Sequence, residues 1–185
     1  MKLQDLIDLL KGKRQPLISP IANPVQAKQP DKRAEIERKI RGGLKAYSLK
    51  YAGGQKLPIE DYVPMFVEAT KYPIFQKYPF LLPQISIQES SGGRNVTRTN
   101  NPLNWGARIQ QQGQYSPSSW DESIQDMISA VSGDRPKGTS RYRQTLYYEP
   151  FRRSQDLRDF ANTYESANPN YYNDLMQGMK VFETQ

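Results

Sequence analysis

The sequence predicts a mainly α-helical protein, and three observations carry that reading. Apolar residues recur at helical spacing in one stretch after another. Helix start or stop signals (Ser or Asp before a periodic stretch, Gly-Gly after it) mark several of those stretches. No stretch shows the strict apolar–polar alternation of a half-buried strand, and no internal repeat is visible. At 185 residues the chain has room for one ordinary domain plus an arm.

Residues 3–10 read as a short amphipathic helix, with Leu3, Leu6, Ile7 and Leu10 on one face. Residues 11–30 hold four prolines and several basic residues, which predicts an extended linker. Together, 1–30 form an N-terminal arm. Asp31 is placed to cap a helix over 32–51, whose inner face carries Ile36, Ile40, Leu44, Tyr47 and Tyr51. Gly42-Gly43 weakens that helix and Gly53-Gly54 ends it. We read 31–56 as a helical extension and 57–185 as the main domain.

Within that domain, residues 57–72 predict a helix with Tyr62, Phe66 and Thr70 on one side, Pro64 being tolerated only in a first turn. Residues 79–93 predict a buried helix that stops at Gly92-Gly93. Residues 94–119, rich in Asn, Gln, Ser, Gly and Pro, read as a long polar loop of functional character. A helix over 119–131, capped by Ser118 or Ser119, points Ile124, Met127, Ile128 and Val131 inward. Residues 154–165 (Leu157, Phe160, Ala161, Tyr164) and 170–183 (Leu175, Met179, Phe182) complete the set.

Composition excludes whole classes of chemistry. There is no cysteine, hence no disulfide framework and no thiol nucleophile. There is no histidine, which removes Ser-His and Cys-His dyads and leaves no expectation of a zinc site or of any cofactor. Acid–base work falls to Asp, Glu, Tyr or Lys. Mean hydropathy is −0.81, and no run approaches the roughly 18 apolar residues of a membrane span. Asp5 and Asp8 interrupt the apolar positions of the first segment, so no Sec-type signal is expected there.

The net charge of +7 is unevenly spread. Residues 1–56 hold 13 Lys/Arg and 5 Asp/Glu, a net +8, whereas residues 57–185 hold 13 and 14, a net −1. The plain reading is a solvated basic arm. The sharper one is an arm that docks on an anionic polymer or assembly. Nucleic acid is not the expected partner, because no helix-turn-helix, zinc-finger or RNA-binding signature is present.

Glu89 is the residue that stands out chemically. It closes an apolar stretch (Leu81, Leu82, Ile85, Ile87) and precedes Ser90-Ser91-Gly92-Gly93. Partial desolvation and the C-terminal end of a helix both disfavour a negative charge there, so its pKa should rise. A raised pKa suits a general acid that must hold its proton near neutral pH. Alone, a Glu near a helix end is an ordinary solvated residue. The context is Asn100-Asn101-Pro102-Leu103-Asn104-Trp105-Gly106, whose amides and indole suit sugar hydroxyl and acetamido groups. Read without Glu89, that stretch is an Asn-Pro turn beside a core tryptophan.

Glu89-Ser90-Ser91-Gly92-Gly93, followed by Asn100-Asn101 and Trp105-Gly106, resembles the bacterial glucosaminidase family (glycoside hydrolase family 73). That family carries a catalytic Glu-Ser-Gly and then an Asn-Asn-x-Phe-Gly element. Ser119 to Asp126 is similar to the segment that opens its next helix, and Arg141-Tyr142 to its later Arg-Tyr. Phe160-Ala161-Asn162-Thr163-Tyr164 with Asn168-Pro169-Asn170-Tyr171-Tyr172 resembles its Tyr-Ala-Thr-Asp-Pro-x-Tyr motif. Soluble lytic transglycosylases share the Glu-Ser start. The resemblance covers about residues 57–182 and implies a lysozyme-like fold, here with a reduced or absent β-lobe and preceded by the basic arm.

It further implies cleavage of β-1,4 bonds between N-acetylglucosamine and N-acetylmuramic acid in peptidoglycan, with Glu89 protonating the glycosidic oxygen. Tyr164 would join Glu89 in the catalytic set. Ser90, Asn101, Asn104, Trp105, Tyr171 and Tyr172 would bind substrate. The chain departs from the family between the Asn-Asn element and the next helix. Residues 107–117 contain no carboxylate, where many members keep a second acidic residue. Asp121 and Glu122 are the nearest, but in a helix's first turn they complement the dipole. A one-carboxylate mechanism is the better expectation, the substrate's acetamido group or C6 hydroxyl acting as nucleophile.

Lacking a Sec signal, such an enzyme would reach the bacterial wall on a virion or a secretion machine. The alternative expectation is a non-catalytic glycan-binding or structural component of such an assembly. Arg141, Arg143, Arg152 and Arg153 are read as a solvated face ahead of an anion site, and Tyr147-Tyr148 as core. Asn95-Val96-Thr97 is read as loop chemistry despite its glycosylation pattern.

Overall fold

The computed structural model describes residues 31–96, 100–105, 117–135 and 142–185, the side chains of 142–144 excepted. The arm (1–30), most of the polar loop, Gly106, Arg141 and the Arg143 side chain lie outside the described residues. Among the described residues the chain is helical without a strand, in keeping with a mainly α class. No described helix is long and apolar enough to cross a membrane.

Helix α1 (Lys32–Tyr51) starts at Asp31, whose carboxylate accepts the Arg33 N–H at 3.0 Å. It buries Ile36, Ile40 and Leu44 in the core shared with the rest of the protein. In packing terms, the helix expected as an extension is part of the main domain. Tyr47 packs partly, whereas Tyr51, expected inward, is exposed. The helix ends at Ala52, where the backbone has begun to turn toward Gly53-Gly54.

Residues 57–72 do not form one helix. A 3-10 turn (Pro58–Tyr62) leads into α2 (Val63–Ala69), with Pro64 in the first turn of α2. A proline has no N–H to give and clashes with the preceding turn, so the helix restarts around it. A short α3 (Pro73–Lys77) follows, for which the sequence showed no periodic signal. Helix α4 (Leu81–Ser90) buries Leu81, Leu82 and Ile85 and sits against α2 and the last helix of the chain. It stops one residue before the expected glycines. Ser91 adopts a left-handed conformation (φ +53°), and the N–H of Gly92 reaches the Ser86 carbonyl at 2.9 Å.

Helix α5 (Trp120–Ser132) is capped by Ser119, whose hydroxyl accepts the Glu122 N–H at 3.2 Å, and it ends at Gly133 (φ +83°). Ile124, Met127, Ile128 and Val131 are all buried, as their spacing predicts. Helices α6 (Tyr142–Tyr147) and α7 (Glu149–Ser154) fill a stretch that gave no periodic signal. Helix α8 (Leu157–Tyr164) begins on an Asp156 cap, and α9 (Tyr171–Glu183) closes the described fold. Helix α9 packs on α1, α4 and α8, which places the start of α9 beside the end of α4.

The α1–α9 crossing explains the weak Gly-Gly in α1. A Cβ on Gly43 would lie 2.2 Å from the Phe182 ring, whereas one on Gly42 would meet only the Gln185 side chain beyond α9, at 2.8 Å. An alanine inside a helix gains about 1 kcal/mol over glycine, while forcing atoms into a packed contact costs about 1–3 kcal/mol. For Gly43 the overlap with a rigid buried ring wins. Gly43→Ala should therefore lower the urea midpoint of unfolding, while Gly42→Ala leaves it unchanged or raises it. Equal midpoints for the two variants would remove the close-approach explanation.

Candidate active site

The site forms where the end of α4 meets the start of α9 and the turn at 100–105. Glu89 is half-buried on the last turn of α4. Its Oε1 accepts the Tyr171 hydroxyl at 2.8 Å, and its Oε2 accepts the Asn104 side-chain amide at 3.1 Å. Burial is the main influence and pushes the Glu89 carboxyl above the ordinary carboxylate range. The bonds from Tyr171 and Asn104 pull in the opposite direction, and the charge of Glu165 adds to the upward push. The net direction is upward, as expected of a general acid.

Tyr171 is 2% exposed, and its hydroxyl is held well above the ordinary tyrosine value, chiefly by burial and then by the Glu89 charge. It is a neutral donor. Tyr164 stacks on it, ring centroids 5.5 Å apart, and donates its own hydroxyl to the Leu103 carbonyl. Burial keeps that phenol protonated too. Tyr164, expected in the catalytic set, thus supports Tyr171 and the turn and makes no hydrogen bond to Glu89. Tyr172 points elsewhere and lies under the Arg158 guanidinium, 5.0 Å from its ring centre.

The stack continues inward. Phe160 follows Tyr164 at 5.3 Å, Tyr148 follows Phe160 at 5.7 Å, and Trp105 follows Tyr148 at 5.6 Å. Tyr148 is buried as predicted, whereas Tyr147 is 65% exposed and belongs to the surface. Trp105 is 3% exposed, and its indole N–H donates to Asp126 at 3.2 Å. Its faces are occupied by protein, so it anchors the turn and is not available to stack on a sugar. Asp126, which also pairs with Arg135, was not singled out by the sequence.

Ser90 and Asn101 are also internal ties. The Ser90 hydroxyl is buried between the carbonyls of Ser86 (2.9 Å) and Pro102 (2.7 Å) and accepts the Gly93 N–H at 2.9 Å. The Asn101 side chain pairs with the Trp105 backbone in both directions, at 2.6 and 3.0 Å. Both were expected to bind substrate, and both are too buried to reach it. They hold the turn that presents Asn104, an exposed residue at φ +50°, a conformation asparagine tolerates better than most. Of the expected binders, Asn104 and Tyr171 touch Glu89.

The other carboxylates considered lie apart. Glu122 accepts the Ser118 N–H at 2.7 Å and its hydroxyl at 2.8 Å, closing the start of α5. Asp121 is exposed in the same turn. The Arg152 guanidinium, in the wall of a cleft of ≈ 490 Å³, donates to the carbonyls of Ala130 (2.9 Å) and Thr145 (2.7 Å), a structural role, and Arg153 pairs with Glu149. Among the described residues no group of acidic side chains could hold a metal ion. Glu165 is the site residue that sequence reasoning passed over. It directly follows Tyr164, and nothing in the sequence says that the turn beyond α8 comes back toward Glu89.

Two measurements check these electrostatics. Tyr171 stabilises the ionised form of Glu89, so Tyr171→Phe should raise the titration of the Glu89 carboxyl further, read by carbon-13 NMR. An unchanged titration would mean the bond is not made in solution. A folded-state pKa above the unfolded one makes Glu89 a cost to stability. That cost is absent below the unfolded value and grows as pH rises toward the folded one. Glu89→Gln should therefore melt higher than wild type at pH 7, and the two should converge below about pH 4. A gap that widens in acid would reverse the assignment.

Comparison with protein-family models, with curated proteins and with solved structures finds no match to this chain.

Proposed function

We propose that the protein is a peptidoglycan-cleaving glycosidase of lysozyme-like fold with little or no β-lobe, and that Glu89 is its general acid. The observation that carries this reading is the half-buried Glu89 carboxyl, raised in pKa, gripped by a neutral phenol and an amide. The sequence resemblance to glucosaminidases and lytic transglycosylases supports the substrate class.

The chemistry follows from that geometry. Protonated Glu89 gives its proton to the glycosidic oxygen as the bond from that oxygen to C1 breaks. The carboxylate left behind is met by the Tyr171 hydroxyl and the Asn104 amide, already in place at 2.8 and 3.1 Å. Donors fixed before the charge appears need no rearrangement when it does. Positive charge grows at C1, and the substrate's acetamido group or C6 hydroxyl closes on it. The acetamido route ends in hydrolysis, the C6 route in an anhydro-muramic end. Asn104 is the exposed side chain beside Glu89 that would meet sugar first.

Digestion of purified peptidoglycan with wild type and Glu89→Gln, followed by mass spectrometry of the product ends, tests this. The variant should lose at least about 100-fold in rate while still binding the insoluble wall. Anhydro-muramic ends identify a transglycosylase, reducing N-acetylglucosamine ends a glucosaminidase, and reducing muramic ends a muramidase. A well-folded wild type that makes no product from several wall types would favour a non-catalytic wall-binding component. We further propose that the basic arm docks the enzyme on a virion or secretion assembly. Deleting residues 1–30 should weaken binding to that assembly or to the wall and leave turnover of soluble glycan intact. Unchanged binding of both would end that role.

A further inference from the structure

The cleft of ≈ 490 Å³ at the C-terminal end of α5, where that helix meets α6 and α7, shares no residue with the Glu89 site. Arg135, Arg152 and Arg153 line it, with Glu149 as the acidic side chain of its wall. Arg152 is fixed there from two sides. Its guanidinium donates to the Ala130 carbonyl of α5 at 2.9 Å and to the Thr145 carbonyl of α6 at 2.7 Å. Its Nε also runs so close to Gly133 that a Cβ on that glycine would come within 3.0 Å of it. Carbonyls orient a guanidinium without cancelling its charge. Arg135 pairs with Asp126, and Arg153 with Glu149. Among the described residues the three cations of the cleft therefore meet two carboxylates, and the balance is positive.

A second observation comes from Thr145, which lines the same cleft. Its side chain is buried, the residue being 3% exposed, and its Oγ1 has no hydrogen-bond partner among the described residues. A buried hydroxyl without a partner is unfavourable, and a threonine inside a helix commonly returns its hydroxyl to a carbonyl of the preceding turn. Thr163 does so in α8, donating to the Asp159 carbonyl at 2.8 Å. Thr145 does not, although its own carbonyl holds Arg152, so hydroxyl and guanidinium belong to one wall. At the exposed edge stand Arg153 and Glu149, with side chains 78% and 43% exposed. A solvated pair of this kind holds weakly, so Arg153 is able to turn from Glu149 to an incoming anion.

We propose that this cleft binds a single oxyanion group, a carboxylate or a phosphate, held by Arg152, Arg153 and the Thr145 hydroxyl. A guanidinium presents paired N–H donors that match two oxygens of such a group, and each bond is strengthened by the charge on both sides. The Thr145 hydroxyl then finds the acceptor that the protein does not give it. On the glycosidase reading, such groups occur beside the glycan as peptide carboxylates and wall phosphates, and the cleft would grip the wall at a point separate from the cleaved bond.

The full chain is titrated with N-acetylglycine, a peptide-like carboxylate, and with glycerol phosphate, each against chloride at equal ionic strength. The backbone amides of Gly133 and Thr145 are followed by nitrogen-15 NMR. At least one probe should give saturable shifts, and the tighter of the two identifies the source. Thr145→Val trades the unanswered hydroxyl for a methyl of similar size, so it should melt no lower than wild type yet bind the anion several-fold more weakly. Arg153→Gln changes an exposed side chain, and it too should fold and lose several-fold in affinity. Absence of saturable shifts with both probes overturns the proposal, as does binding that either variant retains at wild-type strength. Neither result bears on Glu89, because no turnover is measured.

Discussion

A carboxyl at the end of an apolar helix, half out of water and held by two neutral donors, is the constraint on which the site depends. Desolvation disfavours the Glu89 anion, while hydrogen bonds from Tyr171 and Asn104 favour it. Were the donors stronger, or one of them cationic, the anion would win and the upward shift would be lost. The donors are a phenol kept protonated by its own burial and an amide that cannot titrate. Burial therefore prevails over the two bonds, and the carboxyl is raised in pKa.

Holding that balance takes more of the protein than the site itself. The aromatic series from Trp105 through Tyr148, Phe160 and Tyr164 to Tyr171 ties the 100–105 turn to three successive segments of the last third of the chain. Each contact contributes only about 1 kcal/mol beyond burial, but ring on ring leaves little freedom to tilt. The Tyr171 hydroxyl is thus aimed by a chain of packed faces and not by its own rotamer preference alone. The turn that carries Asn104 is fixed in parallel. Its buried polar groups are answered one by one: the Ser90 hydroxyl by two carbonyls and an N–H, the Asn101 amide by the Trp105 backbone, the Trp105 indole by Asp126. A buried polar group left unanswered costs about 1–3 kcal/mol, so these ties hold the turn in a single arrangement.

The outer helices serve the same end. α9 must approach α1 closely to bring Tyr171 to the end of α4, and Gly43 allows that by leaving room for the Phe182 ring. α1 is therefore part of the packing that sets Tyr171 against Glu89. The charge asymmetry of the sequence is separate from all this. The site is built from neutral and acidic groups in the part of the chain with a net charge of −1, and the basic excess lies before it.

The sequence by itself determined the helical class, the inward faces of α5, α8 and α9, the cap at Asp31, a serine cap for α5 at 118 or 119, and Glu89 as the group to examine. These follow from local periodicity and from side chains that bond within a few residues, which the order of amino acids records directly. It did not determine which of the polar and aromatic residues near Glu89 are available to a ligand. Ser90, Asn101 and Trp105 have the composition of a sugar site, yet they are turned inward, because the 100–105 turn needs its own backbone groups satisfied. Nor did it separate Tyr171 from Tyr164 and Tyr172, since adjacent or stacked phenols are alike until the α8–α9 crossing gives one of them a path to the carboxyl. Residues 142–154, with no periodic signal, became two short helices only against α5. The charge of Glu165 came to bear on Glu89 by the same route, since the 75 residues between them carry no trace of how α9 meets α4 and α8.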